Sequence, residues 1–269
     1  VWGLQISDDG QQVIYVGGEF GAGCLYRNDE LLLEPKDGWK CSAIFSSRMS
    51  ADGRVAAVVV ENERKGEASL AINGKIEKTY PGTVAFPSMS RDGKVICLAW
   101  KRKDDKWHLV LDGKVGPECD MFTPPAVSAD GKTIAYALQM GDKTTLTIGA
   151  STFPGERGIH RIFLSPDGKA HGFIMEDNST EARRFSVRVG ESRGTERYAL
   201  IYPPVFSPDQ KHWATLAVRA NKMWILIDQR AIETTDEAGA PVFSADGRSV
   251  CHWALVGRDL VWRTIPVGE

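Results

Sequence analysis

The chain has 269 residues, and its 42% hydrophobic content is ample for a buried core, which argues against a disordered protein. Its formal net charge of -2 supplies no broad positive field, so neither nucleic acid nor an anionic membrane surface is an expected partner. The longest apolar run, VAAVVV at residues 55–60, is far shorter than the roughly 20 residues that span a bilayer. We therefore expect no membrane insertion.

A short motif, Ser-x-Asp-Gly between two apolar segments, occurs seven times, as in AVSADGKTIAYAL at residues 126–138. The motif serines are Ser7, Ser50, Ser90, Ser128, Ser165, Ser207 and Ser244. Successive serines are 37 to 43 residues apart, a spacing close to the period of four-stranded propeller blades. Each repeat is therefore predicted to form one small β-sheet.

Each motif predicts a strand, a tight turn and a second strand, because the segment after the Gly is rich in β-branched and aromatic residues. The Asp carboxylate can accept hydrogen bonds from turn amides, and Gly tolerates a positive φ. We therefore interpret the motif acids as turn-stabilising rather than catalytic. Gln210 replaces the Gly in the sixth copy, which predicts a strained turn or another turn type there.

A second hairpin signal follows 21 to 25 residues after each motif serine, as in LAINGKI at residues 70–76 and LVLDGKV at residues 109–115. The Asn-Gly and Asp-Gly pairs favour two-residue turns, so each repeat has two hairpins and four antiparallel strands. The sequence thus predicts an all-β fold: a seven-bladed β-propeller of four-stranded antiparallel blades, in a single domain over residues 1–269. The chain ends soon after the seventh motif, which predicts an incomplete last blade.

Small residues recur seven residues after the motif serine, as expected where a strand lies close to the next blade. Six of the seven residues in this column are small, namely Ala57, Cys97, Ala135, Gly172, Ala214 and Cys251, and the seventh is Ile14. A buried free Cys behaves as a small hydrophobe, which accounts for the two cysteines. The five cysteines form no CxxC pair and no zinc-like spacing, so we expect neither a disulfide framework nor a metal site.

The turns SPDGK and SADGK, followed by strands like TIAYA, resemble the WD-repeat-like β-propeller repeat of TolB-type proteins. The segment DGKVGPECD resembles the outer hairpin of bacterial members with that repeat. The resemblance implies a binding platform, often in the bacterial cell envelope and sometimes an accessory domain beside a hydrolase. The first residue is Val1 rather than Met, so an export signal or upstream domain could have been removed. The compartment stays open, and the resemblance favours the periplasm or cell envelope.

The sequence offers few catalytic candidates. GESRG at residues 190–194 matches the nucleophile-elbow pattern, which requires a strand followed by a helix. Here it falls at an outer hairpin with no helical pattern after it, so we interpret Ser192 as a turn residue. The five histidines show no HExxH motif or i, i+4 clustering. We therefore expect no catalytic residue and no cofactor.

Charged runs at residues 61–67, 101–106 and 175–184 fall between the second and third strands of their repeats. In a propeller these loops share one rim with the connections that enter each innermost strand. These entry connections carry Trp39, Phe86, Met121, Phe122, Arg161 and Tyr202. Aromatic and Arg anchors ringed by charge are typical of protein-binding surfaces, although the same side chains could instead fill gaps between blades.

We therefore predict a monomeric, non-enzymatic module that binds a protein or peptide partner at this rim, or acts as a scaffold. The alternative is an enzyme or small-ligand-binding propeller with its site at the axial channel. The sequence does not identify the partner.

Overall fold

A computed structural model describes residues 2–18, 23–41, 47–156, 158–177, 184–190, 192–194, 196–234 and 237–268. The regular elements in these residues are β-strands, and none of the described segments forms a helix long and apolar enough to cross a membrane. The chain divides into two compact units, unit 1 over Val1–Glu156 and unit 2 over Arg157–Glu269.

Unit 1 contains four antiparallel sheets, numbered in chain order. Sheet 1 consists of β1 (Trp2–Ile6), β2 (Val13–Gly17), β3 (Cys24–Arg27) and β4 (Glu30–Leu33). Sheet 2 consists of β5 (Trp39–Cys41), β6 (Ser47–Met49), β7 (Ala56–Asn62), β8 (Glu67–Ile72) and β9 (Lys75–Pro81). Sheet 3 consists of β10 (Thr83–Met89), β11 (Ile96–Lys101), β12 (Trp107–Leu111) and β13 (Lys114–Cys119). Sheet 4 consists of β14 (Met121–Phe122), β15 (Ala126–Val127), β16 (Ile134–Met140), β17 (Lys143–Ile148) and β18 (Ser151–Pro154).

Unit 2 contains three further antiparallel sheets. Sheet 5 consists of β19 (Ile159–Leu164), β20 (His171–Asp177), β21 (Arg184–Val189) and β22 (Ser192–Arg193). Sheet 6 consists of β23 (Leu200–Ile201), β24 (Val205–Phe206), β25 (Trp213–Arg219), β26 (Lys222–Ile227) and β27 (Arg230–Glu233). Sheet 7 consists of β28 (Val242–Phe243), β29 (Ser249–Val256) and β30 (Asp259–Pro266). In sheets 2, 4 and 6 the first two strands pair with the same neighbouring strand. They are therefore two parts of one interrupted innermost strand, and each of these sheets has four strand positions.

The seven motif turns share one hydrogen-bond network. In the third copy the Ser90 hydroxyl donates to Asp92 Oδ1 at 2.8 Å and accepts the Val95 N–H at 3.0 Å, while the Lys94 N–H donates to Asp92 at 3.1 Å. The other six copies repeat these three bonds. The hydrogen bonds from Ser90 and from the Lys94 amide lower the pKa of Asp92 to about 2. The turn-stabilising role predicted for the motif acids is confirmed.

Neighbouring motif turns in unit 1 are also bonded to one another. The Asp8 N–H donates to the Ala51 carbonyl at 2.9 Å, the Ala51 N–H to the Arg91 carbonyl at 2.8 Å, and the Arg91 N–H to the Ala129 carbonyl at 2.9 Å. These bonds join the turns of sheets 1 to 4 by their backbones.

Gln210 occupies the glycine position of the sixth turn without changing the turn type. Its φ is +62°, and its N–H donates to the Ser207 carbonyl at 2.9 Å as in the other copies. The predicted strain is therefore present, whereas the predicted alternative turn type is wrong. The preceding motif has Pro166 where the first three motifs have the N–H that donates to the next turn, and here Gln210 Oε1 accepts the Asp167 N–H at 3.0 Å instead. The side chain of Gln210 thus links the turns of sheets 5 and 6.

The hydrophobic core lies between the faces of neighbouring sheets within each unit. Strand β7 is covered on both faces, since Val58 and Val60 belong to the cluster shared with sheet 1 and Val59 to the cluster shared with sheet 3. This double burial explains the continuous apolar run that the sequence shows at residues 55–60.

The small-residue column is buried in six repeats, and Cys251 is partly exposed. At Gly172 an added Cβ would lie 2.3 Å from the ring of Phe163, so only glycine fits there. The five cysteines are free. Three of the cysteines are buried, and burial raises their thiol pKa values. The pKa is about 12 for Cys41 and about 11 for Cys97 and Cys119.

Candidate functional site at the entry rim

The entry rim is the edge of each sheet at which the innermost strand begins and the turn between the second and third strands lies. In sheet 2 the Asn62 side chain, in that turn region, donates to the Asp37 carbonyl in the entry connection at 3.1 Å. In sheet 4 the Asp120 carboxylate, in the entry connection, accepts the Gly141 N–H at 2.8 Å. The two kinds of loop therefore meet at one edge within these sheets, as the sequence predicts.

Phe86 lies on the innermost strand of sheet 3 in a β-bulge. Ala85 pairs with Ala99 and Ser88 with Cys97, so Phe86 and Pro87 both lie opposite Leu98. Phe86 has a φ of +52°, which is rare for an aromatic residue, and its side chain is 42% exposed. The bulge thus leaves a large apolar side chain partly exposed to solvent. It also holds the backbone of Phe86 in a conformation that is unfavourable for an aromatic residue.

Phe86, Trp107 and Phe122 form an aromatic cluster between the entry rims of sheets 3 and 4. The rings of Phe86 and Phe122 meet edge to face, with centroids 5.7 Å apart and an interplanar angle of 67°. Phe122 also contacts Trp107, at a centroid distance of 4.8 Å. Met121 precedes Phe122 on β14 and is 62% exposed. The structure therefore brings two of the predicted site residues, Phe86 and Phe122, into contact, and Met121 is the exposed sequence neighbour of Phe122.

Trp107 is a member of this cluster that the sequence analysis missed. It begins the third strand of sheet 3, directly after the charged run at residues 101–106. An aromatic residue next to a charged rim loop was the available signal. Trp107 lies on β12, outside the entry connections that carry the predicted anchors.

Charged side chains flank the aromatic cluster. Lys101 Nζ lies 5.8 Å from the Trp107 ring centroid and forms a 2.8 Å ion pair with Asp105. Lys106 and Asp120 form a second ion pair, at 2.5 Å. The bond from the Gly141 amide, and then that from Lys106, lower the pKa of Asp120. The cluster is thus an apolar patch with a charged border, the usual arrangement of a protein-binding surface.

The three other predicted anchors lie elsewhere. Trp39 is partly buried and packs against the core cluster of sheets 1 and 2, in line with the gap-filling alternative. Arg161 is an exposed residue of β19 in unit 2. Tyr202, also in unit 2, follows β23, and its carbonyl accepts the Thr215 hydroxyl at 2.6 Å. Their roles in binding stay predictions.

A separate cavity of about 340 Å³ lies between sheets 2 and 3. Five of its lining residues are aliphatic, including Leu70, Leu98 and Val110, and four are charged, including Lys78 and Asp112. Across the described segments, no group of three or more His, Cys, Asp or Glu side chains could hold a metal ion. The cavity thus combines aliphatic walls with charged residues from both sheets.

No family model and no curated protein sequence matches the chain significantly. Among solved structures, the complex of KlAtg21 with the coiled coil of AgAtg16 is similar, at 14% identity and a TM-score of 0.56 over 98% of both chains. The β-propeller domain of the Trilobed protease from Pyrococcus furiosus is 14% identical, with a TM-score of 0.53 over 83% of this chain and 84% of that chain.

A structure from a study of two prolyl endopeptidases is also similar, at 11% identity and a TM-score of 0.55. The match covers 100% of this chain and 50% of that chain, so this chain spans half the length of that protein. Identities this low bear on the fold and not on the activity, and the TolB-type repeat stays a prediction. The described residues form antiparallel sheets with four strand positions, except for the three-stranded sheet 7. Together with these neighbours, the sheets show that the chain has the β-propeller fold.

Proposed function

We propose that the chain is a non-enzymatic binding module that recognises a protein or peptide through the aromatic cluster and Met121. The observation that carries this proposal is the conformation of Phe86, whose φ is +52° while 42% of its side chain is exposed. A non-glycine residue held in this region costs about 1–3 kcal/mol, and such strain is concentrated at functional sites.

A comparison within the chain shows that the fold does not require an aromatic residue at this place. Four residues before its motif serine, sheet 1 has Gly3, whose φ is +66°. Gly3 also lies within a register shift, in the pairing of β1 with β2. Glycine adopts this conformation without strain. Sheet 3 has Phe86 at the equivalent position, so the choice of Phe there supports a role other than folding.

The chemistry of the surface supports a macromolecular partner. Exposed aromatic and Met side chains supply large contact area, and Met adapts its shape to the partner. Among the similar folds, KlAtg21 was solved bound to a coiled coil, while the prolyl endopeptidases are peptidases. The fold is compatible with either class, so the proposal rests on the aromatic cluster. Trp39, Arg161 and Tyr202 remain proposed additional contacts.

The test is the double substitution Phe86→Gly with Met121→Ala. Proteins that the immobilised parent chain retains from an extract of the source organism are identified first, and their retention by the variant is then quantified. We expect retention to fall by at least about 30-fold, the loss expected when anchors worth about 2 kcal/mol are removed. The melting temperature should not fall, because glycine relieves the strain at residue 86.

Phe153→Ala is the matched control, since Phe153 is 47% exposed on the outer strand β18 of sheet 4 and is not a member of the aromatic cluster. This variant should retain the same proteins as the parent. Undiminished retention by the double variant would show that the aromatic cluster is not the binding surface. Equal loss in both variants would indicate nonspecific adhesion through exposed aromatic groups.

A further inference from the structure

Unit 2 has a concave, arginine-rich site at the entry rim between sheets 5 and 6. Its origin is a β-bridge in which Phe185 and Tyr198 exchange backbone hydrogen bonds of 2.8 and 2.9 Å. Both side chains are buried in the core that these sheets share. Residues next to a bridged pair face the opposite side, so Arg184, Arg197 and Ala199 are directed away from this core.

A second backbone bond brings a third arginine to the same place. The Ala199 N–H donates to the Val218 carbonyl at 2.7 Å, which places the end of β25, and with it Arg219, beside Ala199. The Arg219 guanidinium lies over the Trp224 ring at 4.1 Å from its centroid and 5.5 Å from that of Tyr198. Stacking on two aromatic rings holds a guanidinium in place before a ligand arrives.

The three arginines border a cavity of about 310 Å³. Its lining consists of Arg184, Arg197, Ala199, Arg219, Ala220 and Asn221. Two of the lining residues are alanines, whose side chains extend no further than Cβ. None of these lining residues is acidic. A volume of this size lies at the lower end of the range for ligand-binding clefts.

Two of these three guanidinium groups pair with carboxylates of the chain itself. Asp177 pairs with Arg197 at 3.4 Å, and Glu196 pairs with Arg219. A guanidinium presents a planar fork of N–H donors that matches a carboxylate in shape and charge, and it has donors for more than one acceptor. Carboxylates supplied by another molecule could bind in the same manner.

We propose that this arginine pocket binds the acidic side chains, Asp or Glu, of a protein or peptide partner. The inference rests on the proposed function, because it assumes a protein or peptide partner and adds that this partner presents Asp or Glu side chains. The pocket is formed wholly within unit 2, so it is tested separately from the aromatic cluster of unit 1.

The experiment titrates the full chain with a capped pentapeptide that has three central glutamates, and with its counterpart that has three glutamines. We expect the glutamate peptide to bind at least about tenfold more tightly, and more weakly as salt rises from about 50 to about 300 mM. The double variant Arg184→Gln with Arg197→Gln should lose this preference. Arg188→Gln is the matched control, since Arg188 also lies on β21 but outside the pocket.

A second pair of variants tests the pocket without removing an arginine. Ala220 has a φ of +52° in a two-residue turn, a conformation that Asp and Asn tolerate better than most residues. Ala220→Asp places a carboxylate beside the arginines, whereas Ala220→Asn adds the same bulk without charge. We expect the Asp variant to bind the glutamate peptide about tenfold more weakly than the Asn variant.

Three results would overturn the proposal: equal binding of the two peptides, unchanged binding by the double arginine variant, or equal binding by the two Ala220 variants. Inorganic phosphate is titrated as a further probe. Binding of phosphate without binding of the glutamate peptide would also reject the carboxylate assignment. None of these results depends on whether the aromatic cluster captures a partner, so failure of the arginine pocket and failure of the proposed function are distinguishable.

Discussion

Substitution of the motif glycines tests how the turns of neighbouring sheets pack. Gly93 in sheet 3 has a φ of +74°, and a Cβ added there would lie 2.7 Å from both Cβ and Cγ2 of Val55 in the preceding repeat. Gly10 in sheet 1 has nearly the same φ, +70°, but an added Cβ would meet nothing within 4 Å. The two positions therefore share the backbone strain and differ in the contact.

We expect Gly10→Ala to lower the free energy of unfolding by about 1 kcal/mol, because an L-residue at positive φ is strained by about that amount. Gly93→Ala should lower it by about 3 kcal/mol. A contact with Val55 Cβ cannot be relieved by rotating the side chain, and overpacking of this kind costs about 1–3 kcal/mol. At about 2–4 °C per kcal/mol, the Gly93 variant should melt about 6–12 °C lower than the parent.

Urea denaturation of the parent and both variants measures the difference directly. A Gly93→Ala variant as stable as Gly10→Ala would show that the turns of sheets 2 and 3 do not pack as closely as the structure has them. A larger loss at Gly10 would refute the assignment of the extra cost to Val55.

Three further predictions concern the cysteines, the motif acids and Gln210. A thiol reagent should find five free thiols in the unfolded chain but leave the three buried cysteines unmodified in the folded chain, where their pKa values are raised. The pKa of Asp92 is about 2 in the folded chain against an ordinary value of 3.8, so its contribution to stability is fully present above the ordinary value and is lost as the pH falls towards 2. The urea midpoint of Asp92→Asn should therefore depend less on pH in this range than that of the parent. Gln210→Ala should lower the free energy of unfolding by about 1 kcal/mol, because the Asp167 N–H loses its acceptor while the strained φ remains.

The repeated turns could be predicted from sequence because their chemistry is local. The Ser90 hydroxyl, the Asp92 carboxylate and the Val95 amide lie within six residues of one another, so their spacing alone determines the network. The same holds for the outer hairpins, where Asn73 and Asp112 adopt φ values of +48° before a glycine, as a two-residue turn requires.

The candidate sites could be predicted only in part, because they depend on contacts between repeats. The spacing placed Phe86 and Phe122 on the entry rim but could not show that their rings touch. Trp39 has the same residue chemistry and lies on the same kind of connection, yet it packs against the core of sheets 1 and 2. The arginine pocket was missed because its members come from two sheets and meet through the bridge between Phe185 and Tyr198.

A repeat protein provides its own control for separating structural from functional residues, since each position of the repeat is sampled several times. Gln210 and Phe86 are two of the non-glycine residues with a positive φ that stand where another repeat has glycine. Gln210 follows the motif that has Pro166, and its side chain accepts a hydrogen bond from the Asp167 N–H of that motif, so its identity has a structural role. Phe86 occupies the position at which sheet 1 has Gly3. Its ring contacts that of Phe122 edge to face, yet 42% of the side chain remains exposed to solvent. A binding partner that covers the exposed portion would bury further apolar area and so add to the stabilisation that offsets the backbone strain.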